Sequence, residues 1–160
     1  MLAQAFLGLG SNVGDRKAAL ALAIEALGGE PLRLISRSSL YRTDPVEVID
    51  QEEFLNQVVA VETGLEPAAL LALCLKIEGT LGRVRKRDKG PRILDLDLLL
   101  HGDAVLRSTG LVVPHPRLHL RRFVLVPLAE IAPEVRHPVL GLTAAEMLQC
   151  CPDRSRVDRV

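Results

Sequence analysis

FLNQVVAVETGLEPAALLALCLKIEGTLG, residues 54 to 82, holds one complete change of secondary structure and so decides what kind of fold the chain can make. Its first ten residues, 54–63, are rich in β-branched and aromatic side chains and read as a strand. Glu66-Pro67 then opens a helix, with proline at the first helical position, where its missing N–H costs nothing. Leu70, Cys74, Ile77 and Leu81 follow at helical spacing, and Gly82 stops the run.

The same grammar extends to both sides. AFLGLG at 5–10 is an apolar strand, with Ser11-Asn12 and the glycines read as the turn out of it. Leu20, Ile24 and Leu27 place a helix over 15–27, closed by Gly28-Gly29. Residues 32–43, LRLISRSSLYRT, read as one strand, and 44–53, with Pro45 and five acids, as an exposed loop. ILDLDLLL at 93–100 is the next strand and His101-Gly102-Asp103 a turn. Residues 111–123 read as a proline-punctuated loop, with short helices over 123–130 and 143–150. The order strand, helix, strand, strand, helix, strand predicts an α+β fold of the ferredoxin-like βαββαβ kind, an antiparallel sheet flanked by helices, in one domain over 1–160.

Lys+Arg and Asp+Glu both number 20, so bulk charge does not favour nucleic acid. Three cysteines, two of them adjacent, make neither a disulfide framework nor a zinc spacing. No leader or membrane-length apolar run is evident, and the expectation is a cytoplasmic protein.

Charge is instead concentrated in one place. Residues 83–92 carry six cations and one acid, and Asp95 and Asp97 follow inside the leucine strand. A strand has a side-chain period of two, so both carboxylates share a face about 7 Å apart, close enough for one Mg²⁺ or a pair, while Leu94, Leu96 and Leu98 turn to the core. Two acids on a solvated strand face, and a solvated basic loop, are the bland readings of each half. Together they suggest a polyphosphate held between cations and metal. His115, between two prolines and near Arg117, Arg121 and Arg122, could donate to a phosphate or serve only its loop. GLGSNVG is no P-loop.

The motifs LGLGSNVGDR (7–16), YRTDPV (41–46), FLNQVVAVET (54–63), IEGTLGRVRKRDKGPRILDLDLLL (77–100) and VPHPRLHLRRFVLVPLAEIAP (113–133) together resemble the 6-hydroxymethyl-7,8-dihydropterin pyrophosphokinase family of folate biosynthesis. The resemblance implies transfer of pyrophosphate from ATP to the hydroxymethyl group of the reduced pterin, with release of AMP. It implies that Asp95 and Asp97 hold two Mg²⁺ ions and that Arg83 and Arg92 stabilise the transferring group. Arg85, His115 and Arg121 would contact ATP. Asn56, with backbone from Thr43, Asp44, Pro45 and Val46, would meet the pterin edge, and Phe54 and Phe123 would sandwich its ring. Glu78 matches a glutamate of the family's motif near the site.

Four residues depart from the family's usual ones: Phe54 for tyrosine, Lys89 for a tryptophan of some members, Leu120 for glutamate and His101 for tyrosine. A monomer with no nucleic-acid or membrane partner is expected. The alternative kept open is a non-catalytic ferredoxin-like module that binds a ligand or RNA, although the aromatic pattern of an RNA-recognition sheet is missing.

Overall fold

The computed structural model describes residues 1–44, 53–81 and 93–160. In chain order the elements are β1 (Ala3–Ser11), α1 (Arg16–Leu27), β2 (Leu32–Arg37), β3 (Tyr41–Thr43), β4 (Phe54–Thr63), α2 (Pro67–Leu81), β5 (Asp95–His101), β6 (Leu106–Ser108), β7 (Leu111–Val113), a 3₁₀ turn (Leu118–Leu120), α3 (Arg122–Ile131), α4 (Ala144–Cys150) and β8 (Val157–Arg159). The main sheet runs β5-β1-β4-β3-β8, with β2 also beside β4, and all its pairings are antiparallel. Taking β2 and β3 as one interrupted strand, the spatial order is last, first, third, second. That is the ferredoxin-like arrangement expected from the sequence.

Strand periodicity divides the core into two. Ala5, Leu7 and Leu9 of β1, Leu55, Val59 and Val61 of β4, and Leu96 and Leu98 of β5 face α1 and α2, where Leu20, Ile24, Leu27, Leu70, Cys74 and Ile77 meet them. Phe6, Val58, Ala60 and Leu99 face the other way, against Val124, Leu125 and Leu128 of α3 and Met147 of α4. Leu7, Leu70, Leu125 and Leu128 have no exposed surface. Each contributes about 1.5–3 kcal/mol by leaving water. With three Phe, one Tyr and no Trp, the core is filled by branched aliphatic side chains.

The caps fix where helices begin. Asp15 accepts from the Ala18 N–H at 3.1 Å and starts α1. Thr143 and Glu146 make a reciprocal capping box at the start of α4. Such caps are worth about 1 kcal/mol each.

Four readings need correction. Residues 32–43 are two strands, not one. Ser38 breaks the ladder by joining it sideways: its Oγ accepts from the Val58 N–H at 3.0 Å, and its carbonyl accepts from Gln57 Nε2 at 2.7 Å. Gly8, Gly10 and Ser11 lie inside β1 instead of turning out of it, and His101 is the last residue of β5 instead of the start of a turn. The His101 ring is buried and its Nε2 sits 2.8 Å from the Leu65 carbonyl, which anchors the strand's end. Leu111–Val113 is a strand paired with β6, and the tail adds β8 to the sheet edge. Most of the acidic loop, residues 45–52, lies outside the described residues.

Candidate active site

The α3-facing side of the sheet has an apolar half, covered by α3 and α4, and a polar half built at the ends of β1, β4 and β5. Alternation puts Gly8 and Gly10 of β1 on this face, and the register sets Asp97 opposite Gly8 and Asp95 opposite Gly10. Two half-buried carboxylates therefore face two positions with no side chain. On the other flank Gly10 pairs with Asn56 of β4. A Cβ at Gly10 would stand 2.9 Å from Asn56 Oδ1 and 3.6 Å from Phe54 Cδ1, so only hydrogen fits there. Sequence reading assigned these glycines to a turn. The signal that could have found their role is G-x-G at strand period, which clears one face.

Asn56 is 7% exposed and Thr43 3% exposed. Asn56 Nδ2 donates to Thr43 Oγ1 across the β3–β4 pair. That bond fixes which way the amide points. Phe54 stands next along the strand, opposite Thr43, and is half-buried. Phe123 comes from the first turn of α3 and packs against the second core cluster. The Arg121 guanidinium lies over its ring at 5.6 Å from the centroid, a cation–π contact.

His115 is placed by backbone. Its N–H donates to the Leu99 carbonyl of β5 at 2.9 Å, and its Nδ1 accepts from the Arg117 N–H at 3.1 Å. With Nδ1 an acceptor, the neutral ring carries its proton on Nε2. Burial, then the charges of Arg121 and Arg117, pull its pKa down to about 4, against a smaller upward push from Asp95. The ring is therefore an uncharged donor at neutral pH, held beside a carboxylate and two guanidinium groups.

Glu78, 8% exposed, reaches from α2 and accepts the Leu96 N–H at 2.9 Å, between the two aspartates. It acts on the strand that carries them. Burial, with the negative charges of Glu78 and Asp97, pushes the Cys74 thiol up to about 12. The structure thus gathers Thr43, Phe54, Asn56, Glu78, Asp95, Asp97, His115, Arg121 and Phe123 around one end of the sheet. Asp44 follows β3 and is exposed. Arg83, Arg85, Arg92, Pro45 and Val46, and the departure Lys89, lie outside the described residues; Leu120 is exposed in the 3₁₀ turn.

Among the described residues no cluster of three or more Asp, Glu, His or Cys could hold a metal by itself. The Asp95–Asp97 pair still suits Mg²⁺. The donors are hard oxygens, they share a face, and the glycines opposite leave room for ligands that a substrate phosphate or water would complete.

Residues 6–133 match the family described as 7,8-dihydro-6-hydroxymethylpterin-pyrophosphokinase. A curated protein of Methylorubrum extorquens, 2-amino-4-hydroxy-6-hydroxymethyldihydropteridine pyrophosphokinase, is 48% identical over 160 residues, 99% of each chain. Its namesake in Bacillus subtilis is 46% identical over 156 residues, 96% of this chain and 93% of that one. A crystal structure of Plasmodium falciparum HPPK-DHPS superposes with a TM-score of 0.74 at 16% identity, over 94% of this chain and 45% of that one, and so agrees in fold. Motifs, sheet order and relatives converge, and the chain belongs to the 7,8-dihydro-6-hydroxymethylpterin pyrophosphokinase family.

Proposed function

We propose that a single domain, acting as a cytoplasmic monomer, transfers pyrophosphate from ATP to the hydroxymethyl group of 6-hydroxymethyl-7,8-dihydropterin and releases AMP. The observation that carries the reading is the shared face on which Asp95 and Asp97 stand opposite Gly10 and Gly8, one strand away from the Asn56–Thr43 pair. That arrangement supports a polyphosphate-and-metal locus beside a buried amide suited to a flat heterocycle.

In this reading Asn56, oriented by Thr43, bonds the pterin edge, with backbone from Thr43 to Val46 completing the wall. Phe54 and Phe123 stack on the ring. Asp95 and Asp97 would hold two Mg²⁺ ions. When bound, Mg²⁺ supplies charge neutralisation and Lewis-acid polarisation of the phosphates. His115, neutral, donates from Nε2, and Arg121 adds charge near the same phosphates. Arg85 joins them, and Arg83 and Arg92 offset the charge that develops on the transferring group. The pterin oxygen forms a bond to the β-phosphorus, the bridge from that phosphorus to the α-phosphate breaks, and the hydroxyl proton is released. Glu78 works at one remove, by holding the Leu96 N–H and with it the pitch of the two aspartates.

Nothing in the family match or the relatives supports the non-catalytic alternative. No helix among the described residues is long and apolar enough to cross a membrane. The test is AMP release from ATP in the presence and absence of the hydroxymethyl dihydropterin. AMP should form only when pterin and Mg²⁺ are both present, and Asp97→Ala should abolish it while keeping a cooperative melt. Near-normal turnover by the folded variant would overturn the assignment of the metal site, and pterin-independent AMP release that of the reaction.

A further inference from the structure

The residue just before the C-terminal strand brings a guanidinium to the end of β3. β8 pairs with β3, with Val157 opposite Thr43 and Arg159 opposite Tyr41. That register sets Arg156 beside the end of β3. Its Nη2 bonds Asp44 Oδ1 at 3.2 Å and also Glu53 Oε2, and its Nε lies 3.3 Å from Asp158 Oδ2. Asp44 directly follows β3 and Glu53 directly precedes β4, so the two carboxylates are the next pair beyond Thr43–Phe54. Glu53 is held a second time, by Arg16 Nη1 on its carbonyl at 2.6 Å.

We propose that Arg156 is a positioning residue for pterin binding: by tying Asp44 to Glu53 it holds Thr43 against Phe54 and Asn56. Without it, the carboxylates of Asp44, Glu53 and Asp158 are left together at the mouth of the hairpin, beside a stretch, 44–53, that has five acids and no cation. Their repulsion spreads β3 from β4 where the Asn56–Thr43 bond must close. The tail strand itself does not depend on Arg156. Arg159 lies 3.3 Å from Glu130 Oε2, and Glu130 accepts from the Tyr41 hydroxyl at 2.7 Å and from the Ser39 N–H and hydroxyl at 3.0 and 2.8 Å. Against the upward push of burial, these bonds and the Arg159 charge hold the Glu130 carboxyl below its usual range. β8 therefore stays anchored when Arg156 is replaced.

The guanidinium is half-exposed, so its effect is modest and screened by salt. Arg156→Gln should raise the KM for the pterin about threefold to tenfold, leaving kcat and the KM for ATP within twofold. Arg156→Lys should recover part of the loss. Glu53→Gln added to Arg156→Gln should recover part of it too, because it lessens the repulsion. A pterin KM within 1.5-fold of wild type in Arg156→Gln overturns the proposal. So does an equal rise in the KM for ATP, a loss of the cooperative melt, or no recovery on adding Glu53→Gln. The proposal rests on the pterin site lying along Thr43, Phe54 and Asn56. Pterin-dependent AMP release and pterin binding by the wild-type chain check that reading separately, so failure of one is distinguishable from failure of the other.

Discussion

Replacing Gly10 by alanine adds one methyl group at the junction of the two halves of the site. The Gly10 backbone is ordinary strand and accepts alanine without strain. The methyl carbon, however, would stand 2.9 Å from Asn56 Oδ1, where ordinary contact begins at 3.4 Å, so the amide must retreat by about 0.5 Å. It has little freedom to do so: it is 7% exposed and bonded to Thr43. Loss of that bond costs about 0.5–1.5 kcal/mol net, and about 1–3 kcal/mol if the amide is left buried without a partner. Stability should fall by that amount, which for a chain of this size is about 2–4 °C in Tm per kcal/mol. Pterin affinity should fall about fivefold to a hundredfold, at tenfold per 1.4 kcal/mol. Steady-state kinetics with each substrate varied in turn, beside a calorimetric melt, reads both quantities. Gly8→Ala is the comparison for stability, because the nearest atoms to its methyl would be those of the Leu99 side chain, at an ordinary 3.6 Å. A Gly10→Ala enzyme with the wild-type melt and a pterin KM within twofold would refute the reasoning that this glycine exists to seat Asn56.

Two further outcomes follow from the geometry. Gly79 is exposed within α2, and among the described residues nothing lies within 4 Å of the position its Cβ would take. Gly79→Ala should therefore stabilise the fold by about 0.5–1 kcal/mol, read as a rise in urea midpoint at unchanged slope; a lower midpoint would refute it. The His115 ring should titrate near pH 4 by NMR. Since its folded pKa lies below the ordinary 6.5, the stability it supports is complete above pH 6.5 and is lost as pH falls toward 4. A midpoint at or above 6.5 would remove the case for a neutral donor.

The ferredoxin-like core was readable because its elements differ in period. Leu70, Cys74 and Ile77 repeat as one buried helix stripe, while Leu94, Leu96 and Leu98 alternate with the aspartates. The same period of two fixed the shared face of Asp95 and Asp97. What escaped depends on partners far away in sequence. Ser38 is compatible with a strand, and only its bonds to Val58 and Gln57 across the sheet turn it into a break. The tail DRSRVDRV shows no alternation, because β8 is held by backbone pairing with β3 and by Arg159, whose partner Glu130 lies on α3, while the carboxylates that Arg156 meets, Asp44 and Glu53, flank β3 and β4 more than 100 residues away. The glycines were misread because a turn and a cleared strand face use the same residue for opposite reasons.

The strand that carries the two aspartates, β5, sits at the rim of the sheet, paired on one side with β1 and, among the described residues, with no strand on the other. A bare rim of this kind is a template on which a second chain can add a strand and start an aggregate. Here Glu78 occupies the Leu96 N–H, between the two aspartates, and the His115 N–H occupies the Leu99 carbonyl, so this stretch of the rim is already bonded. The groups that set the pitch of the aspartates and the seat of the imidazole also keep this apolar strand from joining a neighbour's sheet. Protection of this rim and the geometry of the proposed site thus rest on the same two contacts.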